Sequence, residues 1–227
     1  MNIIKILIAS FVFPFLNYRQ TLNAITVPLF IYTINWALGY SLAADVAGIG
    51  WLSLVIQLFA LTMLLINCNA ILLGQKQPKL NIDFELYLKV MSFVIVGCIA
   101  SYILKYLLII FVLGSASQES VNTYQVIVQI VSNIALYWAI LIVPHYMETG
   151  SNSFSKLLSL SRSSMLSFFS VAIGFQVIQY LLKTPLYLIG DEAASLLNVF
   201  VSYFAYVVGS NVIGFFYLQI KNKSVRI

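Results

Sequence analysis

The sequence predicts an all-α polytopic membrane protein: six transmembrane helices in three hairpins, with interfacial amphipathic segments. Three observations predict it. First, 61% of the 227 residues are apolar and only 8% are charged. An ordinary soluble domain carries roughly a quarter charged residues, so this chain could not cover a water-facing surface. Second, uncharged apolar runs recur along its length, each near the ~20 residues that a helix needs to cross a hydrocarbon layer about 30 Å thick. Third, the charges are segregated. Lys5, Arg19, Lys76, Lys79, Lys89, Lys156, Arg162, Lys221, Lys223 and Arg226 flank one set of span ends, whereas Asp45, Glu119, Asp191 and Glu192 occupy the turns at the other. Lysine and arginine gather at the cytoplasmic ends of spans, which places both termini on the cytoplasmic side of the membrane. The formal charge of +5 is this topology signal plus attraction to anionic lipid. Its basic residues are spread too thinly to form a nucleic-acid surface, so membrane lipids and other membrane subunits are the expected partners and nucleic acid is not.

The clearest span fixes the direction of the rest. Residues 50–74 carry no charge, begin beside Trp51 and end just before Lys76 and Lys79. An amphipathic ring suits the headgroup level and the lysines mark the inner end, so this helix runs from outside to inside. Upstream, residues 1–16 are apolar but too short to cross at about 1.5 Å per residue, and Pro14 interrupts them. No small-x-small cleavage site follows, so they are expected to stay as a helix lying in the cytoplasmic interface. The first span, 21–42, leads to the turn at Asp45 and holds Pro28 within its first turns, where a kink is cheapest. Beyond the second span, Leu80 to Lys89 alternates apolar and polar residues with a strand period. A lone strand at a membrane surface leaves its backbone unpaired, so an extended start followed by an interfacial helix is expected over 79–88. The third span, 88–114, contains Lys105, and the fourth, 122–146, ends at Pro144-His145-Tyr146. In the connector 152–164, Phe154, Leu157 and Leu158 share one helical face and Ser153, Lys156, Ser159 and Ser163 another. That is a short amphipathic helix on the inner surface, with Asn152 or Ser153 as its N-cap. The fifth span, 165–182, and the sixth, 194–220, precede the basic tail. The outer acidic turns recur at nearly equal spacing, and each pair of spans follows a surface-lying stretch, without residue-level identity between the three units.

Little in the sequence carries reaction chemistry. His145 is the single histidine. A bis-histidine haem needs two, and a triad needs an activated nucleophile as well, so His145 is expected as an interfacial residue. Cys68 and Cys98 lie inside apolar runs without metal-type spacing and are expected to pack. There is no GxxxxGKS, HExxH or GxSxG pattern. No Asp or Glu falls in the middle of a predicted span, which weighs against proton- or sodium-driven pumping. No catalytic residue, metal ligand or cofactor is therefore expected.

The polar residues within spans are the suggestive set. Gln125, Gln129, Asn133 and Tyr137 recur every four residues, Gln176 and Gln179 lie three apart, and Lys105 is the one charge at depth. Two uses compete. Amides at such positions join helices by hydrogen bonds worth about 0.6–2 kcal/mol each. Alternatively, Lys105, Gln129, Asn133, Gln176 and Gln179 line a hydrated vestibule open to the outer side. In the sixth span Gly209, Ser210 and Gly214 flank Asn211 with small-xxx-small spacing, a close-approach face for another helix of this chain or of a second subunit. Asn67-Cys68-Asn69 forms a further polar cluster near the inner end of the second span.

The segment from Ile142-Val143-Pro144, through the connector Ser159-Leu160-Ser161-Arg162-Ser163-Ser164, to the apolar span beyond resembles a group of small, largely uncharacterised bacterial inner-membrane proteins. These are related to the membrane domain attached to some glycerophosphodiester phosphodiesterases. The resemblance implies a six-helix bundle without known catalysis. No phosphodiesterase catalytic domain is present in these residues, so no active-site residue carries over. The expected function is a non-catalytic subunit or accessory scaffold of a larger membrane assembly, with a small transporter or channel as the rival.

Overall fold

The structure, a computed structural model, describes residues 3–41, 47–75, 84–113, 121–151, 165–185 and 191–224. They form α1 (Ile3–Leu16), α2 (Tyr18–Ser41), α3 (Ala47–Leu72), α4 (Phe84–Leu113), α5 (Val121–Ile140), α6 (Ile142–Thr149), α7 (Met165–Lys183) and α8 (Asp191–Ser224), with no strand among the described residues. The all-α class therefore holds. Among the described residues, five stretches are long and apolar enough to cross a membrane: Tyr18–Leu38, Gly50–Leu72, Phe84–Phe111, Ile127–Thr149 and Leu197–Asn222. The expected fifth span, 165–182, is a shorter apolar helix, Leu166–Leu182.

Several boundaries differ from the sequence expectation. The ladder continues past Asn17, whose N–H donates to the Phe13 carbonyl (3.0 Å) and whose carbonyl accepts from Thr21 (2.9 Å). Because α2 starts at Tyr18, Pro28 sits in its middle rather than in its first turns. The expected 122–146 span is two helices that meet at Leu141. Pro144 has no N–H to offer the carbonyl four residues back, so the helix is interrupted there. α6 ends at Gly150, whose φ of 66° lets its N–H close on the Tyr146 carbonyl at 2.8 Å. Of the segment 79–88, residues from Phe84 onward are already the first turn of α4, continuous with the long helix, and the rest lies outside the described residues. The connector 152–164 lies outside them too.

Among the described side chains, burial concentrates toward one end of the helices. The buried side chains lie toward the C-terminal end of α3 (Met63–Ala70), the N-terminal end of α4 (Tyr87, Val90, Val94), the α5–α6 junction (Ile140–Val143), the N-terminal half of α7 (Phe168–Phe175) and the later part of α8 (Val207–Ile220). α8 is the common neighbour, packing on α1, α2, α3, α6 and α7, while α2 pairs with α3 and α4 with α5. Gly97 lets α4 meet α5, since a Cβ there would stand 2.9 Å from both Ala139 Cβ and Leu136 Cδ1. The other half of α4 is bare, with Tyr102, Ile103, Tyr106, Ile110 and Phe111 exposed.

α1 is docked on this core rather than standing apart from it. Ile6, Ser10 and Pro14 are buried. Phe11 and Phe15 both contact the Phe204 ring, whereas Phe13 contacts Phe215, further along α8. Two residues one turn apart on α1 share a single α8 ring, so α1 lies across α8 instead of running alongside it.

Candidate functional site

Lys105, Gln129, Asn133, Gln176 and Tyr137 form one hydrogen-bonded chain through three helices. Lys105 Nζ on α4 donates to Gln129 Oε1 on α5 at 3.0 Å. Gln129 Nε2 donates to Asn133 Oδ1, one turn along, at 3.0 Å. Asn133 Nδ2 crosses to Gln176 Oε1 on α7 at 3.3 Å, and Gln176 Nε2 returns to the Tyr137 hydroxyl on α5 at 2.8 Å. Every amide in this chain accepts on its Lys105 side and donates on its Tyr137 side. The aligned dipoles therefore present their negative ends toward the ammonium, and each bond polarises the next. Gln129 is exposed and Lys105 half-buried, while Gln176 is buried at the opposite end. Of the five residues expected around a vestibule, the structure joins Lys105, Gln129, Asn133 and Gln176, and adds Tyr137. Gln179, half-buried on α7, takes no part in the chain.

A second set of polar contacts repairs two prolines. Pro28 cannot donate to Ala24, four residues back, and its ring also strains the neighbouring ladder. Asn67 Nδ2 on α3 donates to the Ala24 carbonyl at 2.8 Å, and the Tyr203 hydroxyl on α8 to the Ile25 carbonyl at 2.9 Å. Pro14 likewise frees the Ser10 carbonyl, and Asn211 Nδ2 on α8 donates to it at 3.4 Å. The Ala24 and Ser10 carbonyls released by Pro28 and Pro14 thus become attachment points between helices, as an environment without water favours. This gives Asn67, and the Asn211 between the small residues of α8, a use that the sequence did not assign. Asn69 turns inward on its own helix, donating to the Leu65 carbonyl at 2.8 Å.

The close-approach face of α8 is occupied within the chain. A Cβ on Gly209 would stand 2.9 Å from Phe175 Cζ on α7, and one on Gly214 would stand 2.5 Å from Leu72 Cδ1 and 2.8 Å from Asn69 Oδ1 on α3. Ser210 between them is buried. The three residues seat α7 and α3 on α8.

At the packed end, His145 of α6 is buried against α8, its ring centroid 5.9 Å from that of Tyr217. The Tyr217 hydroxyl donates to Glu148 Oε2 at 2.7 Å, which leaves its oxygen to accept from His145 Nδ1 at 3.4 Å. Lys221 pairs with the other carboxylate oxygen of Glu148. Gln75 Nε2 donates to the Met147 carbonyl at 2.9 Å, and Lys89 lies 2.5 Å from Glu85 and over the Tyr146 ring. Sequence reasoning missed this cluster because its members are scattered over α4, α6, α8 and the residue Gln75 beyond α3. The available signal lay in Glu148 and Lys221, each placed just past an apolar run.

The chain matches no protein-family model, and neither a curated protein nor a solved structure is similar to it. The resemblance described above therefore rests on the residues quoted for it.

Proposed function

We propose that this chain is a non-catalytic integral membrane protein of six spans in three hairpins, with both termini cytoplasmic, serving as a subunit or accessory scaffold of a larger assembly in a bacterial inner membrane. One observation carries the reading: the longest-reaching polar groups inside its apolar helices hold helices to one another. Asn67 and Asn211 satisfy proline-freed carbonyls, Tyr203 ties α8 to the Ile25 carbonyl of α2, and Asn133, Gln176 and Tyr137 tie α5 to α7. The alternation of direction finds support in the burial pattern, which falls at the C-terminal end of α3, the N-terminal end of α4, the C-terminal end of α5 and the N-terminal half of α7. In this layout α7 crosses as the fifth span despite its length, because α1 lies beside it. Leu7 of α1 would meet a Cβ on Gly174 at 2.8 Å. The test is purification from the native membrane in mild detergent with mass spectrometry of co-migrating proteins. Stoichiometric membrane partners are expected, and a solitary chain at native abundance overturns the subunit role.

A second reading, a small transporter or channel with a polar vestibule open to the outer side, is favoured by one feature. The amide chain ends at the partly exposed pair Lys105 and Gln129. Lys105→Met is then expected to abolish flux in vesicles while leaving the protein folded and abundant. A variant that inserts poorly instead assigns Lys105 to the framework.

A further inference from the structure

We infer that Lys105 and Gln129 seat a phosphate-type oxyanion at the outer side of the bundle. The inference rests on the membrane placement proposed above but not on the subunit role. Lys105 lies about 12 Å by helical rise from the Leu113 end of α4, deeper than a lysine stem spans on its own. A charge held at that depth is costly unless it is paired or hydrated. Its ammonium does not turn along the helix toward the surface. It points across to Gln129 Oε1, on a residue at a matching depth in α5. The ion pairs among the described residues are Lys89–Glu85 and Lys221–Glu148, at the packed end, and Lys105 belongs to neither.

The amide chain behind Lys105 supplies oriented dipoles but no negative charge. An ammonium has three N–H donors, of which Gln129 takes one. Gln129 Nε2 spends one of its two hydrogens on Asn133 and keeps the other. Gln129 is exposed and Lys105 half-buried, on a stretch of α4 whose Tyr102 and Tyr106 are exposed as well. Acyl chains cannot answer these donors. A phosphate oxygen can, and two sources lie within reach: the headgroup of an anionic outer-leaflet lipid drawn inward, or inorganic phosphate from the outer solution. In either case the chain to Tyr137 fixes the carbonyl of Gln129 on Lys105, so that the remaining donors face outward together.

The full-length protein, reconstituted in nanodiscs, tests this by thermal unfolding and native mass spectrometry. Phosphatidylglycerol is titrated against a phosphatidylcholine background, and millimolar inorganic phosphate is added separately. The wild type is expected to gain stability with one of these anions. Lys105→Met should lower its affinity about tenfold, as loss of a charge-assisted bond predicts, and Lys105→Arg should retain it. A shift with phosphatidylglycerol alone assigns the site to the lipid, and a shift with inorganic phosphate assigns it to the solute. If Lys105→Met does not fold, Gln129→Leu carries the same expectation with the charge in place. Equal responses of wild type, Lys105→Met and Gln129→Leu to both anions overturn the inference. Failure of the membrane placement itself would register separately, in the accessibility of cysteines on the two sides.

Discussion

Pro28 and Asn67 act as one unit, although neither is exceptional alone. The proline removes a backbone donor in the middle of α2, and the amide of Asn67 replaces it from α3 at 2.8 Å. Asn67→Ala strands a buried carbonyl and is expected to cost about 1–2 kcal/mol. In a Pro28→Ala background the new N–H reaches Ala24, and the same Asn67→Ala substitution should cost less than half as much. A double-mutant cycle on denaturant unfolding in bicelles measures the difference. Equal costs in the two backgrounds would mean that Asn67 does not act through the proline. Both residues were visible in the sequence, and the notion of amides as interhelical ties was too. Their pairing was not, because a hydrogen bond between a side chain and a backbone 43 residues away leaves no local pattern. The amide chain was more legible. Gln129, Asn133 and Tyr137 at four-residue spacing had to share a face of α5, and Gln176 had to lie at similar depth. What the spacing could not supply was that Gln179, three residues on, points elsewhere.

At the scale of helices, hydropathy determined the long spans and glycine decides how closely they approach. Gly97 and Gly50 make a controlled pair. A Cβ on Gly97 falls 2.9 Å from Ala139 Cβ, attached to the facing helix backbone, so α4 and α5 must separate to accept it. Around Gly50 nothing lies within 4 Å. Gly97→Ala is therefore expected to destabilise by about 1–3 kcal/mol through overpacking. Gly50→Ala should be neutral or stabilise by about 0.4–1 kcal/mol by restricting the unfolded chain. The same unfolding assay reads both, and a Gly97→Ala protein as stable as wild type would mean that the α4–α5 contact yields readily. The interruption at Leu141 was hidden from hydropathy, since Ile140 to Val143 is uniformly apolar. Pro144 marked it, but was read as the end of a span rather than as a break with a further helix beyond. The segment 1–16 was legible as a helix of insufficient length. Its docking through Phe11, Phe13 and Phe15 onto α8 was not, because rings on an apolar helix suit lipid as well as protein.

For the whole molecule, charge placement is the argument for one orientation, and burial adds only which end of the described bundle is packed. The lysines and arginines were assigned to the inner side from sequence alone. In the folded bundle the tightly packed end is the one that carries Lys89, Lys221 and Glu148. The loosely packed end carries the exposed half of α4 and the partly open Lys105. Such a polarity makes sense if the inner end is the rigid base of the bundle and the outer end is where it meets lipid or solute. Single cysteines test the orientation in a Cys68→Ala, Cys98→Ala background, which removes the buried and the exposed native thiol. An impermeant maleimide applied to intact cells should label Glu119→Cys rapidly and leave Ser155→Cys, beside Lys156, untouched until the membrane is permeabilised. Ile4→Cys, on the exposed side of α1, should behave like Ser155→Cys, because α1 follows the amino terminus on the inner side. Labelling of Ser155→Cys from outside would invert the molecule. Lys105 would then face the cytoplasm, and the anion it holds would have to be sought there.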